Sequence, residues 1–277
     1  MQIVMITVSL VTYHTSLEEL QVCLNSLNNP LVKHIFVVDN SAMPEIEQFC
    51  APLQNVEYIA NTNTGYGSGH NIAMRKALKL NPDYHLILNT DVYFKPEILN
   101  ELTNYLNQNP DVGQLQPRLT YPDGRLQYSV RMLPSPIDVF ARRFLPSSWV
   151  EKRTDRYILV DLDHSTIQNV PFHQGSFMLL RTSVLKEIGL FDERFFLYTE
   201  DIDLTRRVHA RYKTIYYPHA TAIHSHRQES YKNFHLMMVH SMNMIRYFNK
   251  WGWFFDSQRK QWNNHLNTLI KKAKKNS

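Results

Sequence analysis

The segment FFLYTEDIDLTRR, residues 195–207, places three carboxylates in four positions: Glu200, Asp201 and Asp203. Two readings fit it. Acids favour the first turn of a helix, where exposed N–H groups carry partial positive charge, and Asp203 stands four residues before Arg207, the spacing of an ion pair on one helical face. Alternatively, one of these acids is a general base that takes a proton from a bound substrate. A second acidic position lies in LILNTDVYF (86–94), where Asn89 and Asp91 are two apart and share one face of an extended segment. A carboxylate and an amide oxygen are hard ligands suited to Mg2+ or Mn2+. Mg2+ takes only one or two carboxylates and completes its shell with water and substrate phosphates. A polar strand end is the alternative. YYPHATAIHSHR (216–227) carries His219, His224 and His226. A nitrogen ligand beside one carboxylate suits Mn2+, but the spacing alone is no metal motif, and a lone histidine is equally a packed structural one.

Two further stretches carry ligand chemistry. Asp39 ends HIFVVD (34–39). Its carboxylate can accept a hydrogen bond from a ring N–H such as the imide of uracil or thymine, or it can close an Asx turn with Ser41. NTNTGYGSGHN (61–71) sets Gly65, Gly67 and Gly69 ahead of a helix, where the backbone can approach a ligand and phosphate oxygens are well placed. An ordinary flexible loop is the alternative. The dinucleotide-binding fingerprint does not fit: the loop follows the third strand, its final glycine spacing differs, and no acidic ribose contact stands where that motif needs one.

These residues need a scaffold, and the first half of the chain alternates strand and helix patterns. IVMITVSLVTY is apolar and β-branched, as a buried parallel strand should be. SLEELQVCLNSLN (16–28) places Leu17, Leu20, Cys23, Leu24 and Leu27 on one helical face, with Ser16 as N-cap. Strands follow at 34–39, 56–60 and 84–89, and helices at 44–50, 69–80 and 95–109, the last with Pro96 near its first turn. The order predicts an α/β fold with a mostly parallel sheet and helices on both faces. Ligands of such sheets bind beyond the carboxyl ends of the strands, which is where Asp39, the 61–71 loop and Asn89–Asp91 fall. Residues 111–170 are less regular, with a turn at Pro122–Gly124 and a loop plus short helix through RMLPSPIDVFARRFLPSSW. A buried strand and helix return in VPFHQGSFMLLRTSVLKEIGLF.

The chain has 277 residues, 43% hydrophobic and 20% charged, enough for one large domain or two closely joined lobes. With 8 glycines and 13 prolines it fits neither disordered nor collagen-like composition. Two cysteines exclude a disulfide scaffold and read as buried thiols in a reducing compartment. MQIVMITVSLVTYH reads as a first strand and not a signal peptide, and no apolar run of spanning length occurs. The chain therefore reads as cytoplasmic, with peripheral attachment to the inner face of the cell membrane open to it. The net charge of +5 suits an anionic ligand, a membrane surface or nucleic acid without choosing among them. No nucleic-acid motif is present, and clustered lysines occur only in the tail. That tail, NTLIKKAKKNS after Trp251, Trp253, Phe254 and Phe255, suits an anionic bilayer or is simply solvated.

Taken in order, VSLVTYH, VVDNS, NTNTGYGSGHN, LILNTDV, GSFMLLRTSVLKEIGLFDERFFLYTEDIDLTRR and AIHSH resemble the family 2 inverting glycosyltransferases of the GT-A fold, above all rhamnosyltransferase-like bacterial members that build surface polysaccharides. The resemblance spans about residues 3–250. It implies a catalytic domain at 1–225, with a nucleotide-sugar half (1–115) and an acceptor half (116–225), and a helical, aromatic and basic extension at 226–277. It also implies site roles. Thr12 and Tyr13 would line the nucleotide site, with Asp39 on the pyrimidine base. Asn63, Gly65 and Asn71 would form the donor loop. Asn89, Thr90 and Asp91 match the metal motif, with Asn89 in place of its first Asp, and His224 would complete the site for Mg2+ or Mn2+. Gly175, Ser176 and Glu200 would lie near the sugar and acceptor, and Asp201 would be the base. The implied partners are a nucleotide-sugar donor, dTDP-rhamnose or a UDP-sugar, and a glycan or lipid-linked glycan acceptor. A nucleotidyltransferase would want a glycine-rich basic loop after the first strand, where VTYHTSLEEL has no glycine. A non-catalytic sugar- or nucleotide-binding protein would need no base at Asp201.

Overall fold

The computed structural model describes residues 4–225 and 234–276. In chain order the elements are β1 (Ile6–Thr12), α1 (Leu17–Ser26), β2 (Val32–Asp39), α2 (Pro44–Cys50), β3 (Val56–Ala60), α3 (Tyr66–Lys79), β4 (Tyr84–Leu88), β5 (Val92–Tyr93), α4 (Ile98–Gln108), β6 (Val112–Thr120), β7 (Val130–Arg131), α5 (Pro136–Phe144), α6 (Ser147–Tyr157), β8 (Gln168–Asn169), β9 (Phe172–His173), β10 (Phe177–Arg181), α7 (Thr182–Ile188), α8 (Glu200–His209), β11 (Lys213–His224), α9 (Phe234–Trp251) and α10 (Ser257–Asn276).

A mixed, mostly parallel sheet runs β3-β2-β1-β4-β10-β6-β11-β5, with β8 also on β11. β3, β2, β1 and β4 are parallel neighbours. β10 is antiparallel to both β4 and β6, so it closes the parallel half onto the rest of the sheet. β1 and β4 are buried almost throughout because helices cover both faces, which is why their sequences are near-continuous apolar runs. Ser16 caps α1, its hydroxyl accepting from the Glu19 N–H at 3.2 Å. α1 buries Leu20, Cys23 and Leu24, but Leu17 is largely exposed. The expected short helix after residue 131 is in fact two, α5 and α6.

The ends of the strands are set by two local features. α3 begins three residues before the periodicity suggests, with Gly65 as N-cap at φ 105°. On the far side of the sheet, Pro218 has no N–H to give the β6–β11 ladder. There the register shifts between Tyr217 and Thr221. His219 is left exposed on this bulge, while the strand beyond it pairs His224 with Val92 of β5.

α9 and α10 share a hydrophobic cluster with Val130, Leu133, Phe172, Phe195, Ile202 and Tyr216, so the core around β7, β9 and α8 continues into the C-terminal helices. Arg206 of α8 is the polar pin of that junction. It is fully buried, donates to both oxygens of Asp256 at 2.7 Å, meets the Tyr247 hydroxyl at 3.1 Å, and lies 4.1 Å over the Trp251 ring. Removing one partner of a buried ion pair leaves an uncompensated charge. Asp256→Ala is expected to cost about 3–5 kcal/mol in urea unfolding. A loss below about 1 kcal/mol, the scale of an exposed pair, would show that water reaches the guanidinium.

Candidate active site

Glu200 and Asp201 stand at the first turn of α8, as the acidic segment suggests, but their surroundings are not those of a solvated cap. Asp201 accepts the Gly175 N–H on Oδ2 at 2.9 Å and the Ile202 N–H on Oδ1 at 2.8 Å. Burial raises its carboxyl to about 6, against those two N–H groups and the Arg131 charge, which lower it. Glu200 is enclosed, with Oε2 on the Thr199 N–H at 2.9 Å. Burial, with the Asp201 charge added, takes it to about 8. Asp201 therefore does not keep an ordinary carboxylate pKa, as its helix-terminal position alone would suggest. Near neutral pH the pair carries one negative charge, and the N–H groups of Gly175 and Ile202 favour Asp201 as its seat. Asp203 is spent structurally: its Oδ2 pairs with Arg207 at 2.8 Å, and its Oδ1 receives Trp251 Nε1 at 2.8 Å and Lys250 at 2.7 Å. The backbone just before the cap is held at φ 80° in Tyr198, a conformation costly for a bulky residue and tolerated where surrounding structure enforces it.

The strand-end group forms around β4 and β5. Asp91 Oδ1 is 3.2 Å from His224 Nε2. The other ring nitrogen, Nδ1, is 2.8 Å from Gln127 Oε1, a contact that orients the imidazole with Nε2 facing Asp91. Thr90 donates to Glu19 of α1 at 2.6 Å. One carboxylate and one imidazole form a sparse donor set, and no group of three or more His, Cys, Asp or Glu placed to hold a metal occurs among the described residues. The set fits a divalent cation that takes its remaining ligands from water and a diphosphate, and it does not fit a self-sufficient metal site. His219 is remote on its bulge, and His226 lies outside the described residues.

Tyr66, which carries no motif signal of its own, links the two groups. Its hydroxyl lies 2.9 Å from Asn89 Oδ1 and 2.8 Å from the Gly175 carbonyl, whose own residue donates to Asp201. Burial, with the charges of Glu200, Asp201 and Asp91, pushes the phenol well above its usual pKa. Those three carboxylates thus surround one ring. Gly175 has no spare room: a Cβ there would stand 3.3 Å from both Asp201 Cβ and Tyr66 Cε1. Ser176 lies beside it, its carbonyl accepting the Asn89 N–H at 3.0 Å and its buried hydroxyl without a partner.

The glycine loop serves the protein's own packing. A Cβ on Gly65 would lie 2.5 Å from the Phe196 carbonyl oxygen, and one on Gly67 would lie 3.0 Å from Phe191 Cβ and 3.3 Å from Glu200 Cβ. Tyr66 N–H donates to that same Phe196 oxygen at 3.0 Å. The glycines therefore let α3 dock on the segment that presents the acids. Asn71, expected on the donor loop, is committed instead to that segment. It bonds the Phe191 carbonyl and N–H at 2.9 and 3.0 Å and Glu193 at 2.9 Å. Exposed Asn63 caps the loop through Gly65 N–H at 3.2 Å. At the end of β1, Tyr13 is exposed and Thr12 donates to Asp39 at 2.9 Å. Asp39 does make the Asx turn, receiving Ser41 N–H at 3.0 Å, Ser41 Oγ at 2.7 Å, Met43 N–H at 2.6 Å and the Tyr58 hydroxyl at 3.3 Å. Burial opposes its charge, but these hydrogen bonds prevail and hold its pKa below the usual value.

The sequence of the chain matches a known family. The model of Glycosyl transferase family 2 matches residues 7–189, well over half of the chain. The chain belongs to glycosyl transferase family 2. Among its relatives, an N-acetylglucosaminyl-diphospho-decaprenol L-rhamnosyltransferase of Mycobacterium tuberculosis is 33% identical over 144 residues, which is 51% of this chain and 47% of that one. This chain thus spans about half that relative's length. The rhamnosyltransferase WbbL of Escherichia coli K12 is 29% identical over 196 residues, covering 69% of this chain and 72% of that one. The mannosyltransferase PcManGT of Pyrobaculum calidifontis, solved with GDP-Man and Mn2+, superposes with a TM-score of 0.58 at 15% identity over 88% of this chain and 63% of that one. The architecture is accordingly the GT-A-like fold of the family.

Tyr66→Phe keeps the ring edge against His70 at 4.4 Å and removes only the hydroxyl. The loss of its hydrogen bonds is expected to cost about 1–2 kcal/mol in urea unfolding. A change under about 0.5 kcal/mol would show that the hydroxyl does not tie Asn89 to Gly175.

Proposed function

We propose that this family 2 member moves a sugar from a nucleotide-sugar donor, dTDP-rhamnose or a UDP-sugar, to a hydroxyl of a lipid-linked glycan acceptor. The transfer inverts the anomeric centre and serves bacterial surface-polysaccharide synthesis. The observation that carries the reading is the Asp201 carboxylate, which accepts two backbone N–H groups and is tied through Gly175 and Tyr66 to the strand end at Asn89. The rhamnosyltransferase names of two relatives support the donor, and the lipid-linked acceptor printed in one of those names supports the acceptor.

In this reading the donor lies across the ends of β1, β2 and β4. Thr12, Tyr13 and Asp39 receive the nucleoside. The Tyr58 hydroxyl is the longest of the five contacts on Asp39 and is the one a pyrimidine N–H displaces. Asn63, Gly65 and Thr90 shape the crevice beside the sugar-phosphate, and Asn71 acts at one remove by clamping the 191–193 segment. Asp91 and His224 would hold Mg2+ or Mn2+, which when bound neutralises charge on the departing diphosphate. Asp201 takes the acceptor hydroxyl proton as that oxygen attacks the anomeric carbon. Glu200, neutral at pH 7, stands beside the base, and Gly175 and Ser176 border the sugar.

The active form has Asp201 ionised. Transfer is therefore expected to fall about tenfold per pH unit below the Asp201 value of about 6. Gln mimics the neutral Glu200, so Glu200→Gln keeps most activity at pH 7 and keeps this acid limb. Asp201→Asn abolishes transfer while donor binding persists. Near wild-type transfer by the Asn variant would remove Asp201 from the role. For the strand end, calorimetry of donor binding with and without Mn2+ is expected to show at least about tenfold weaker metal-dependent binding in Asp91→Ala. Equal affinities would remove the metal role.

A further inference from the structure

Large apolar side chains are exposed together on one side of the molecule. Ile137 and Phe140 of α5 are 58% and 42% exposed, Leu145 between the two helices 46%, and Trp149 of α6 76%. In the turn before α10, Phe254 is 75% and Phe255 98% exposed. The two stretches form one surface, because Phe140 stacks on Trp253 with centroids 6.3 Å apart. Between them lies a cavity of about 800 Å3 lined by Phe254, Phe255, Arg153, Arg156 and Lys260, and also by Asp256 and by Asp138, which pairs with Arg153. α6 is patterned for this. Trp149, Lys152, Arg153 and Arg156 fall at i, i+3, i+4 and i+7, a single stripe that combines one aromatic with three cations. Val150 and Tyr157, on another face of the helix, are buried in the core. Two exposed phenylalanines in succession on a turn have no packing purpose in the free protein, and a patch of this kind marks an interaction surface.

We propose that this face, formed by α5, α6 and the 254–255 turn, docks flat on an anionic lipid bilayer. The aromatics enter the acyl boundary while Lys152 and Arg156 of α6 and Lys260 meet the headgroups, Arg153 being paired with Asp138. Aromatic and aliphatic side chains beside Lys and Arg are the composition of an interfacial element. No helix among the described residues is long and apolar enough to cross a membrane, so the attachment is lateral. The surface leads toward the base: Met132 and Tyr157 line the cavity, and Arg131, the neighbour of Met132, lies 6.0 Å over the Tyr157 ring and lowers the Asp201 pKa. A lipid-linked acceptor lying in the bilayer would thus present its headgroup on the side where Asp201 stands. This last point rests on the proposed reaction; the docking itself does not.

The test is co-flotation of the whole chain with phosphatidylcholine vesicles, with and without phosphatidylglycerol. The chain is expected to float with the phosphatidylglycerol vesicles, less so at high salt. Phe254→Ser with Phe255→Ser is expected to weaken binding by about tenfold or more, and Trp149→Ser similarly. All three positions are exposed, so circular dichroism melts should match the parent, and transfer to a soluble acceptor should be retained. Absence of flotation in the parent, or flotation unchanged in both variants, overturns the proposal. A concentration-dependent dimer in analytical ultracentrifugation that the phenylalanine variants abolish also overturns it, because the face then belongs to a second copy. Failed flotation with intact transfer sinks only the docking. Flotation without transfer sinks only the enzymatic reading.

Discussion

The Asp201 carboxyl stands half-buried, and two backbone N–H groups from different parts of the chain bind its two oxygens. One comes from its own helix, where the first-turn geometry supplies it at no extra cost. The other comes from Gly175, and it arrives only because β10, antiparallel in the middle of the sheet, delivers residues 175–176 alongside the end of β4. Much of the surrounding structure follows from keeping those two donors in place. Gly65 and Gly67 allow α3 to approach Phe196, Phe191 and Glu200 within distances a side chain would forbid. Asn71 then fixes Phe191 through both of its backbone polar groups. Further along α8, Arg206 is locked to Asp256 in the C-terminal segment. α8 is thus restrained near its acids by α3 and two turns later by the junction with α9 and α10.

The second centre depends on a defect in regular structure. A strand that kept its register through Pro218 would place its last residues differently against β5 and β6. The shift between Tyr217 and Thr221 leaves His219 exposed and sets His224 opposite Val92, one residue from Asp91. Gln127, just beyond the turn at Tyr121–Arg125, then orients the imidazole. A proline that weakens a ladder is in this way the means by which a histidine and a carboxylate from distant parts of the chain come within 3.2 Å.

What could be read from the sequence follows the range of the forces involved. The parallel strands and their helices were legible because burial on both faces writes continuous apolar runs, and Ser16 was legible because its cap reaches only three residues ahead. The strand ends at Asp39 and Asn89–Asp91, and the Asp203–Arg207 pair, were legible for the same local reason. Tyr66 was not: its partners Asn89 and Gly175 are 23 and 109 residues away, and a tyrosine between two glycines has no periodic signature. The glycines were read as room for a ligand because spacing cannot say what approaches them. The raised pKa values of Glu200 and Asp201 come from enclosure, which no local pattern of acids reveals. Asn71 was misplaced because its partners belong to the 191–193 segment, on the other side of the chain's longest-range packing.

The C-terminal helices sharpen the same point. Read as sequence, they are an aromatic and basic appendage. In the fold, Trp251 and Lys250 complete the partners of Asp203, and Arg206 is held by Asp256, Tyr247 and Gln258. A buried guanidinium without those partners would destabilise α8 itself. The helix that presents Asp201 is therefore braced by the C-terminal segment as well as by its own half of the chain. The polar groups of α8 facing away from the acids are matched to the C-terminal segment as closely as Asp201 is matched to Gly175. The charge at one end of α8 and the anchor on its far face are two parts of a single restraint, and it is this restraint that lets a carboxylate stay ionised while half removed from water.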